Sequence, residues 1–286
     1  MVKVLHFTPV RKTPEILKMH LKSLAKLDQN GDITITFSFY DDNKDPNSSE
    51  ILKSYVEHGE NRFLHSFNLD FLDDYHGKER WEIALYKRIT KIKDAVIKYF
   101  LESEFDYLFL TDADLVLHPE TISILLEQKK DFCSQVFWTH FNGSMTYTPN
   151  CWKDIPKGFT YSDLIRYRQE GTYEVDFTGA CTLLSRAILE DGVRFEKISN
   201  VSFLGEDKHF CIRAAVAGYS IFVNTEAPAF HIYDNSLLEL ADDIDRKSDF
   251  KGYLDSWLNE RWEKDIQNWL NPSPQTFVER IIKRLR

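Results

Sequence analysis

Residues 106–120 read DYLFLTDADLVLHPE: an apolar run, two carboxylates one residue apart in Asp112-Ala113-Asp114, then a second apolar run closed by Pro119. A short apolar run between polar residues is the mark of a buried strand, and proline suits the first turn of a helix. The stretch predicts a strand, an acidic loop at its carboxyl end, and a helix opening at Pro119. The triplet alone carries little weight. With 25 aspartates in 286 residues, composition yields about two D-x-D triplets by chance, and there are two, the other being Asp243-Ile244-Asp245. Only the first follows a strand-like run, so the first is read as a site and the second as surface.

Upstream, strand-like and helix-like segments alternate. Residues 2–8 (VKVLHFT) are an apolar run reaching Thr8-Pro9, a strand-to-helix break. In residues 14–27, Leu17, Leu21 and Leu24 fall on one helical face, and Asn30-Gly31 is a stop signal. Residues 33–40 (ITITFSFY) are β-branched and aromatic and run into a polar loop over 41–49. A helix over 51–59, a weaker strand over 62–69 and a long helix over 80–103 follow, the last with Leu85, Ile89, Ile92 and Val96 at helical spacing. Such alternation implies an α/β fold with a mostly parallel sheet flanked by helices. Ligands of such sheets bind beyond the carboxyl ends of the strands, here the loops 41–49 and 111–118. Residues 132–155 are aromatic and irregular, which suits a pocket wall or an antiparallel addition. From 236 onward, polar and tryptophan-bearing helical segments predict an extension, giving a main domain over 1–235 and a helical extension over 236–286.

A net charge of -9 argues against nucleic acid as a partner, since no broad basic field gathers phosphates. No apolar run approaches the ~20 residues that span a bilayer. The sequence opens in a strand-like run without a secretory apolar segment, which predicts a cytoplasmic location. Cys133, Cys151, Cys181 and Cys211 are spaced by 18, 30 and 30 residues, matching neither zinc nor redox pairs, and read as buried free thiols. In residues 276–286, Val278, Ile281, Ile282 and Leu285 form a stripe beside Arg280, Lys283, Arg284 and Arg286. That helix would touch the inner face of a membrane, or pack on the main domain or on a second copy in a homo-oligomer.

Carboxylates at i and i+2 beyond a strand can hold Mg²⁺ or Mn²⁺, hard ions that favour oxygen ligands and share them with phosphates. Glu206 and Asp207 open a helix that Gly218 ends. Acidic residues there complement the helix dipole, and a carboxylate so placed can also serve as a general base. His231 follows a strand-like run and would add a metal ligand from a separate loop.

In order and spacing these pieces resemble the metal-dependent nucleotide-sugar glycosyltransferases of the GT-A fold, a Rossmann-like class, and its family-2-like members in particular. The resemblance covers about residues 2–233. It rests on FTPVRKTPEILKMHLKSL, the acidic turn Tyr40-Asp41-Asp42-Asn43, DYLFLTDADLVLHPETI, VDFTGACTLLSRAIL, GEDKHFCIRAAVAGY and the late histidine in AFHIY. It implies a nucleotide-sugar donor, UDP-linked by preference, with Mn²⁺ or Mg²⁺ as cofactor, a glycan or glycoconjugate hydroxyl as acceptor, and a role in carbohydrate biosynthesis. Thr8, Pro9 and Arg11 would face the donor, with Arg11 and Arg88 at its phosphates. Asp41 or Asp42 would accept hydrogen bonds from the base or ribose. Asp112 and Ala113 would line the ribose, with Asp112, Asp114 and His231 holding the metal. Asp207 would be the base of an inverting reaction, Glu206 would orient the acceptor, and Gly179-Ala180 would lie under the donor sugar. Trp138 and Trp152 would stack on sugar faces or belong to the core. Two other readings compete: a haloacid-dehalogenase-like phosphatase using Asp112 and Asp114, and a nucleotide-sugar or glycan-binding module without turnover.

Overall fold

The computed structural model describes residues 1–28, 31–69, 81–141, 146–153, 160–201 and 205–270. The amino-terminal half runs β1 (Val2–Val10), α1 (Pro14–Leu24), β2 (Ile33–Asp41), α2 (Pro46–Glu57), β3 (Arg62–Leu64), α3 (Trp81–Leu101), β4 (Tyr107–Leu110), β5 (Leu115–Val116) and α4 (Thr121–Glu127). The middle comprises β6 (Phe132–Thr139), β7 (Thr148–Pro149), β8 (Cys151–Trp152), α5 (Tyr161–Arg166), β9 (Thr172–Val175) and β10 (Phe177–Thr178). It closes with β11 (Thr182–Ser185), α6 (Arg186–Glu190), α7 (Glu206–Val216), β12 (Ile221–His231), α8 (Leu238–Arg246) and α9 (Phe250–Leu270).

The main sheet has the order β3-β2-β1-β4-β11-β6-β12-β5, with β7 on β6 and β9 on β12. Strands β3, β2, β1, β4, β6 and β12 run in one direction, and β11 is antiparallel to both of its neighbours. The mostly parallel α/β sheet expected from the alternation is thus present. Period-two alternation sorts its side chains to two faces. Val4, Phe109, Cys133 and Phe137 meet Leu17, Leu21 and Leu24 of α1 and Leu52 of α2 on one side. Leu5, Phe7, Leu108, Val136 and Trp138 meet Ile92, Val96 and Phe100 of α3 and Phe210 of α7 on the other.

Several boundaries differ from the sequence expectation. Strand β1 continues through Pro9 to Val10. Its pairing with β4 ends at Phe7, while Pro9 still lies opposite Tyr40 of β2, so the missing N–H faces a side without a ladder partner. Helix α2 opens at Pro46, five residues early, because Asp45 caps it by accepting from the Asn47 amide at 2.9 Å. No helix opens at Pro119: the acidic triplet turns directly into β5, and α4 starts at Thr121. Residues 132–139, read as irregular, form a wholly buried strand in the heart of the sheet. Trp138 is therefore core, whereas Trp152 is half-buried on β8 opposite Phe177.

After residue 235, α8 and α9 build no core of their own. Ala241, Ile244, Phe250, Leu254 and Leu258 all join the cluster of α3 and α7. Asp245, read as surface, is buried, and its carboxylate takes Lys22 and Lys26 of α1 at 2.8 Å each. All four cysteines are buried and free. Asn30 and the basic stripe of 276–286 lie outside the described residues.

Candidate active site

The carboxyl ends of β1, β4, β6 and β12 share one edge of the sheet, and the chemistry-bearing residues gather there. Asp112, Ala113 and Asp114 turn the chain from β4 into β5, with the Leu115 amide returning to the Asp112 carbonyl at 3.3 Å. Strand β5 pairs with β12, placing His231 opposite Leu115, and the Ile232 amide donates to the Asp114 carbonyl at 2.8 Å. That pairing is how a histidine 117 residues downstream comes to face Asp114, its Nε2 lying 3.4 Å from Asp114 Oδ2. Thr139 Oγ1, at the end of β6, lies 2.7 Å from His231 Nδ1 and fixes the ring.

The Lys12 ammonium also reaches Asp114 Oδ2, whereas Asp114 Oδ1 is buried without a hydrogen-bond partner. Burial opposes the Asp114 charge, but His231 and Lys12 outweigh it and hold the carboxyl well below its usual range. Asp112 behaves oppositely: burial, with Asp114 and Glu206 as like charges, raises its carboxyl against the pull of Lys93 and Lys12.

A metal ion fits this corner on two grounds. A buried carboxylate oxygen lacks a partner, and an imidazole nitrogen is aimed at the same carboxylate. Among the described residues, however, no group of three or more His, Cys, Asp or Glu side chains forms a metal cage, so Asp112 does not complete a preformed triad. Two residues, Asp114 and His231, could hold such an ion. Ions of the Mg²⁺ type commonly take one or two carboxylates and complete their shell with phosphates and water.

Beneath the turn lies a buried polar network absent from the sequence reading. Thr8 Oγ1 lies 2.7 Å from Thr111 Oγ1 and 3.2 Å from His20 Nε2, and His6 Nε2 lies 2.8 Å from Thr111 Oγ1. His20 Nδ1 approaches the Leu115 carbonyl at 2.7 Å, tying α1 to the acidic turn. Thr8 is fully buried within this support and does not face a ligand. Burial pushes His6 well below its ordinary value and His20 down to about 4, so both rings are neutral at pH 7.

The second carboxylate pair opens α7. Gly205 caps the helix with φ +111°, a conformation that favours glycine, and Glu206 and Asp207 form its first turn. Lys93 of α3 is buried and donates to Glu206 Oε1 at 2.8 Å and to Asp207 Oδ1 at 2.7 Å. Burial works against the ammonium, but Asp207, Glu206 and Asp112 keep it charged. Burial together with Glu206 and Asp112 pushes the Asp207 carboxyl up to about 7, against the pull of Lys93. Asp207 is partly exposed, at 33%, while Glu206 is buried at 9%. Glu206 is therefore not placed to orient an acceptor directly, its carboxylate being paired with Lys93. The mutual influence of Asp112, Lys93 and Asp207 makes the two acidic stretches one electrostatic unit.

Gly179, expected under a donor sugar, lies against the Asp207 side chain. A Cβ built there would fall 2.2 Å from Asp207 Oδ2, so the missing side chain is what admits the Asp207 carboxylate. Ala180 and Cys181 follow with φ of +53° and +46°, strained values for residues with side chains. The acidic turn after β2 is also spoken for. Arg88 Nε donates to both Asp42 oxygens, at 2.7 and 2.8 Å, and Arg11 donates to Oδ2 at 2.9 Å. Asp42 thus has little capacity left for a nucleoside, and the two arginines share its single negative charge. Asp41 is exposed and accepts from the Asn43 side chain at 2.8 Å.

Residues 1–214 match the family model of the glycosyltransferase family 25 N-terminal domain. Procollagen galactosyltransferase 1-A of Xenopus laevis is 26% identical over 149 residues, which is 48% of this chain and 24% of that protein, so the chain spans only a fraction of that relative's length. S. aureus TarS 1-349 in complex with UDP-GlcNAc superposes with a TM-score of 0.50 at 16% identity, covering 80% of this chain and 58% of that one. The Pyrobaculum calidifontis mannosyltransferase PcManGT, in complex with GDP-Man and Mn²⁺, gives 0.51 at 13% identity over 85% of this chain and 60% of that one. These two likenesses attest the fold. The family match includes both acidic stretches, stops short of His231, narrows the family-2-like resemblance and leaves the phosphatase reading without support. The chain belongs to glycosyltransferase family 25, of which it carries the N-terminal domain.

Proposed function

We propose that the domain transfers a sugar from a nucleotide-sugar donor, UDP-linked by preference, to a hydroxyl of a glycan or glycoconjugate, with inversion at the anomeric carbon. The observation that carries this reading is the pairing, on one sheet edge, of a cation-seeking corner and a base-like carboxylate. Asp114 offers a buried oxygen without a partner, and Asp207 is held partly exposed by Lys93 and Gly179. Four carboxylates, Asp112, Asp114, Glu206 and Asp207, face the ammonium groups of Lys12 and Lys93. That excess of negative charge repels a diphosphate unless a cation is added.

In the proposed reaction the acceptor oxygen attacks the anomeric carbon opposite the phosphate, and the bond from that carbon to the phosphate oxygen breaks. The nucleoside diphosphate leaves with the electron pair, and the hydroxyl proton passes to Asp207. A carboxyl raised to about 7 is a better proton acceptor than an ordinary aspartate and still loses its proton near neutrality. Lys93 holds that carboxylate in place, and Glu206 keeps Lys93 charged and positioned. A divalent ion at Asp114 and His231 would neutralise charge developing on the leaving diphosphate.

The test is a donor panel with Mn²⁺ or Mg²⁺, scored by nucleoside diphosphate release. It includes UDP-galactose, UDP-GlcNAc and GDP-mannose, the donors that the names of the relatives and structural neighbours bring forward. Asp114→Asn is expected to abolish metal-dependent release, and Asp207→Asn to abolish transfer while sparing donor binding. Full turnover in either variant removes that residue from its role. Metal-dependent donor binding with no release from any donor would favour the binding-module reading.

A further inference from the structure

Lys12 was not among the residues that the sequence singled out, and it occupies the most consequential position in the site. It lies in the link between β1 and α1, and its backbone is pinned: its amide donates to Asn43 Oδ1 at 3.1 Å, and its carbonyl accepts from Ser48 Oγ at 2.8 Å. From that fixed point the side chain reaches Asp114 Oδ2, the oxygen that His231 Nε2 also approaches at 3.4 Å. The two partners differ in burial. The Lys12 side chain is 34% exposed and that of Asp114 is 7%, so the ammonium closes the carboxylate from the solvent side.

A divalent ion bound to Asp114 and His231 needs contacts of about 2.0–2.2 Å to oxygen and nitrogen. Of the two Asp114 oxygens, Oδ2 is held by the Lys12 ammonium and faced by His231, while Oδ1 is buried without a partner. The ammonium thus stands between this carboxylate and an ion arriving from solvent. A lysine ammonium is a compact charge on a flexible stem, able to leave if another anion receives it. No spare carboxylate is needed for that purpose if the arriving ligand is itself an anion.

We propose that Lys12 is an internal cation that keeps Asp114 closed to a divalent ion until a nucleoside diphosphate draws it away. The proposal rests on the reading that Asp114 and His231 anchor the ion. The diphosphate would accept the ammonium and free Asp114, which with His231 would then hold the ion. Metal and nucleotide then bind with positive coupling, each tightening the other by the same factor, as thermodynamic linkage requires. The donor loads as a complex with its ion, and the apo site stays clear of stray divalent metal.

The experiment measures Mn²⁺ affinity by the loss of the free-ion signal in electron paramagnetic resonance, with and without UDP, and with GDP in a parallel arm. In the wild type, UDP is expected to tighten Mn²⁺ by about tenfold or more. Lys12→Met is expected to bind Mn²⁺ about tenfold more tightly without nucleotide and to lose most of the coupling. Lys12→Arg, which keeps the charge, should retain weak binding in the absence of nucleotide. Equal Mn²⁺ affinity in wild type and Lys12→Met, with and without UDP, overturns the proposal. Asp114→Asn separates the two levels. If it removes Mn²⁺ binding while Lys12→Met changes nothing, the metal anchorage stands and the gate falls. If it leaves Mn²⁺ binding intact, or if no protein binds Mn²⁺ at all, both fall.

Discussion

Asp207 and Gly179 form a pair that neither residue suggests alone. The carboxylate occupies the volume where a Gly179 side chain would stand, with Asp207 Cγ only 2.7 Å from a Cβ built there. Gly179→Ala is expected to push Asp207 off Lys93 and to lower kcat by about 10²-fold, the scale of a misplaced catalytic group, with little change in donor affinity. Steady-state kinetics beside donor titration check this, and an unchanged kcat would show that Asp207 tolerates the shift. The same carboxyl sets a pH dependence. In the proposed reaction it must be unprotonated to accept the acceptor's proton, and burial with its acidic neighbours raises it to about 7. Activity should therefore fall on the acid side with a midpoint near pH 7 and level off above it. A profile flat from pH 6 to 8 would remove Asp207 as the base.

At the scale of elements, ion pairs join segments far apart in the chain. Lys93 of α3 is clamped to the first turn of α7, and Lys22 and Lys26 of α1 hold Asp245 of α8. The second clamp gives a role to the D-x-D triplet that lacks a preceding strand. Its lysines are 44% and 40% exposed, so solvent screening limits its worth. Asp245→Asn is expected to cost about 1 kcal/mol and to lower Tm by about 2–4 °C, measured by thermal denaturation at low salt. High salt should erase most of the difference. A loss of several kcal/mol would mean that the carboxylate supports α8 through burial and not through the lysines.

Across the whole molecule, the support beneath the acidic turn imposes an acid limit on stability. His6 and His20 are fully buried and neutral, with His20 at about 4, below its ordinary 6.5. Below pH 6.5 the unfolded chain takes up protons that the folded chain refuses, so stability falls as pH drops from about 6.5 to about 4, with His20 contributing roughly 3 kcal/mol. Urea midpoints at pH 7 and pH 5 should fall further in the wild type than in His20→Gln. Equal falls would mean that carboxylates alone set the acid limit. Helix α9 shares the core of α3 and α7, in which Phe250, Leu254 and Leu258 are buried.

Local pattern determined a good deal. Apolar runs bounded by polar turns determined the strands β1, β2 and β4, because burial on both faces demands such runs. Helical spacing determined α1 and α3, a positive-φ glycine at 218 ended α7, and the alternation of the two determined a mostly parallel sheet. The acidic stretches at 112–114 and 206–207 were legible as candidates because a strand-like run precedes the first and a helix opens at the second. What only the tertiary structure decided is partnership. Pairing of β5 with β12 brought His231 to Asp114, and α3 delivered Lys93 to Glu206 and Asp207. Lys12, Arg11 and Arg88 are all basic in sequence, yet one pairs with Asp114 and two with Asp42. Which charge meets which depends on strand order and on contacts across 31 to 114 residues, and no local spacing carries that information.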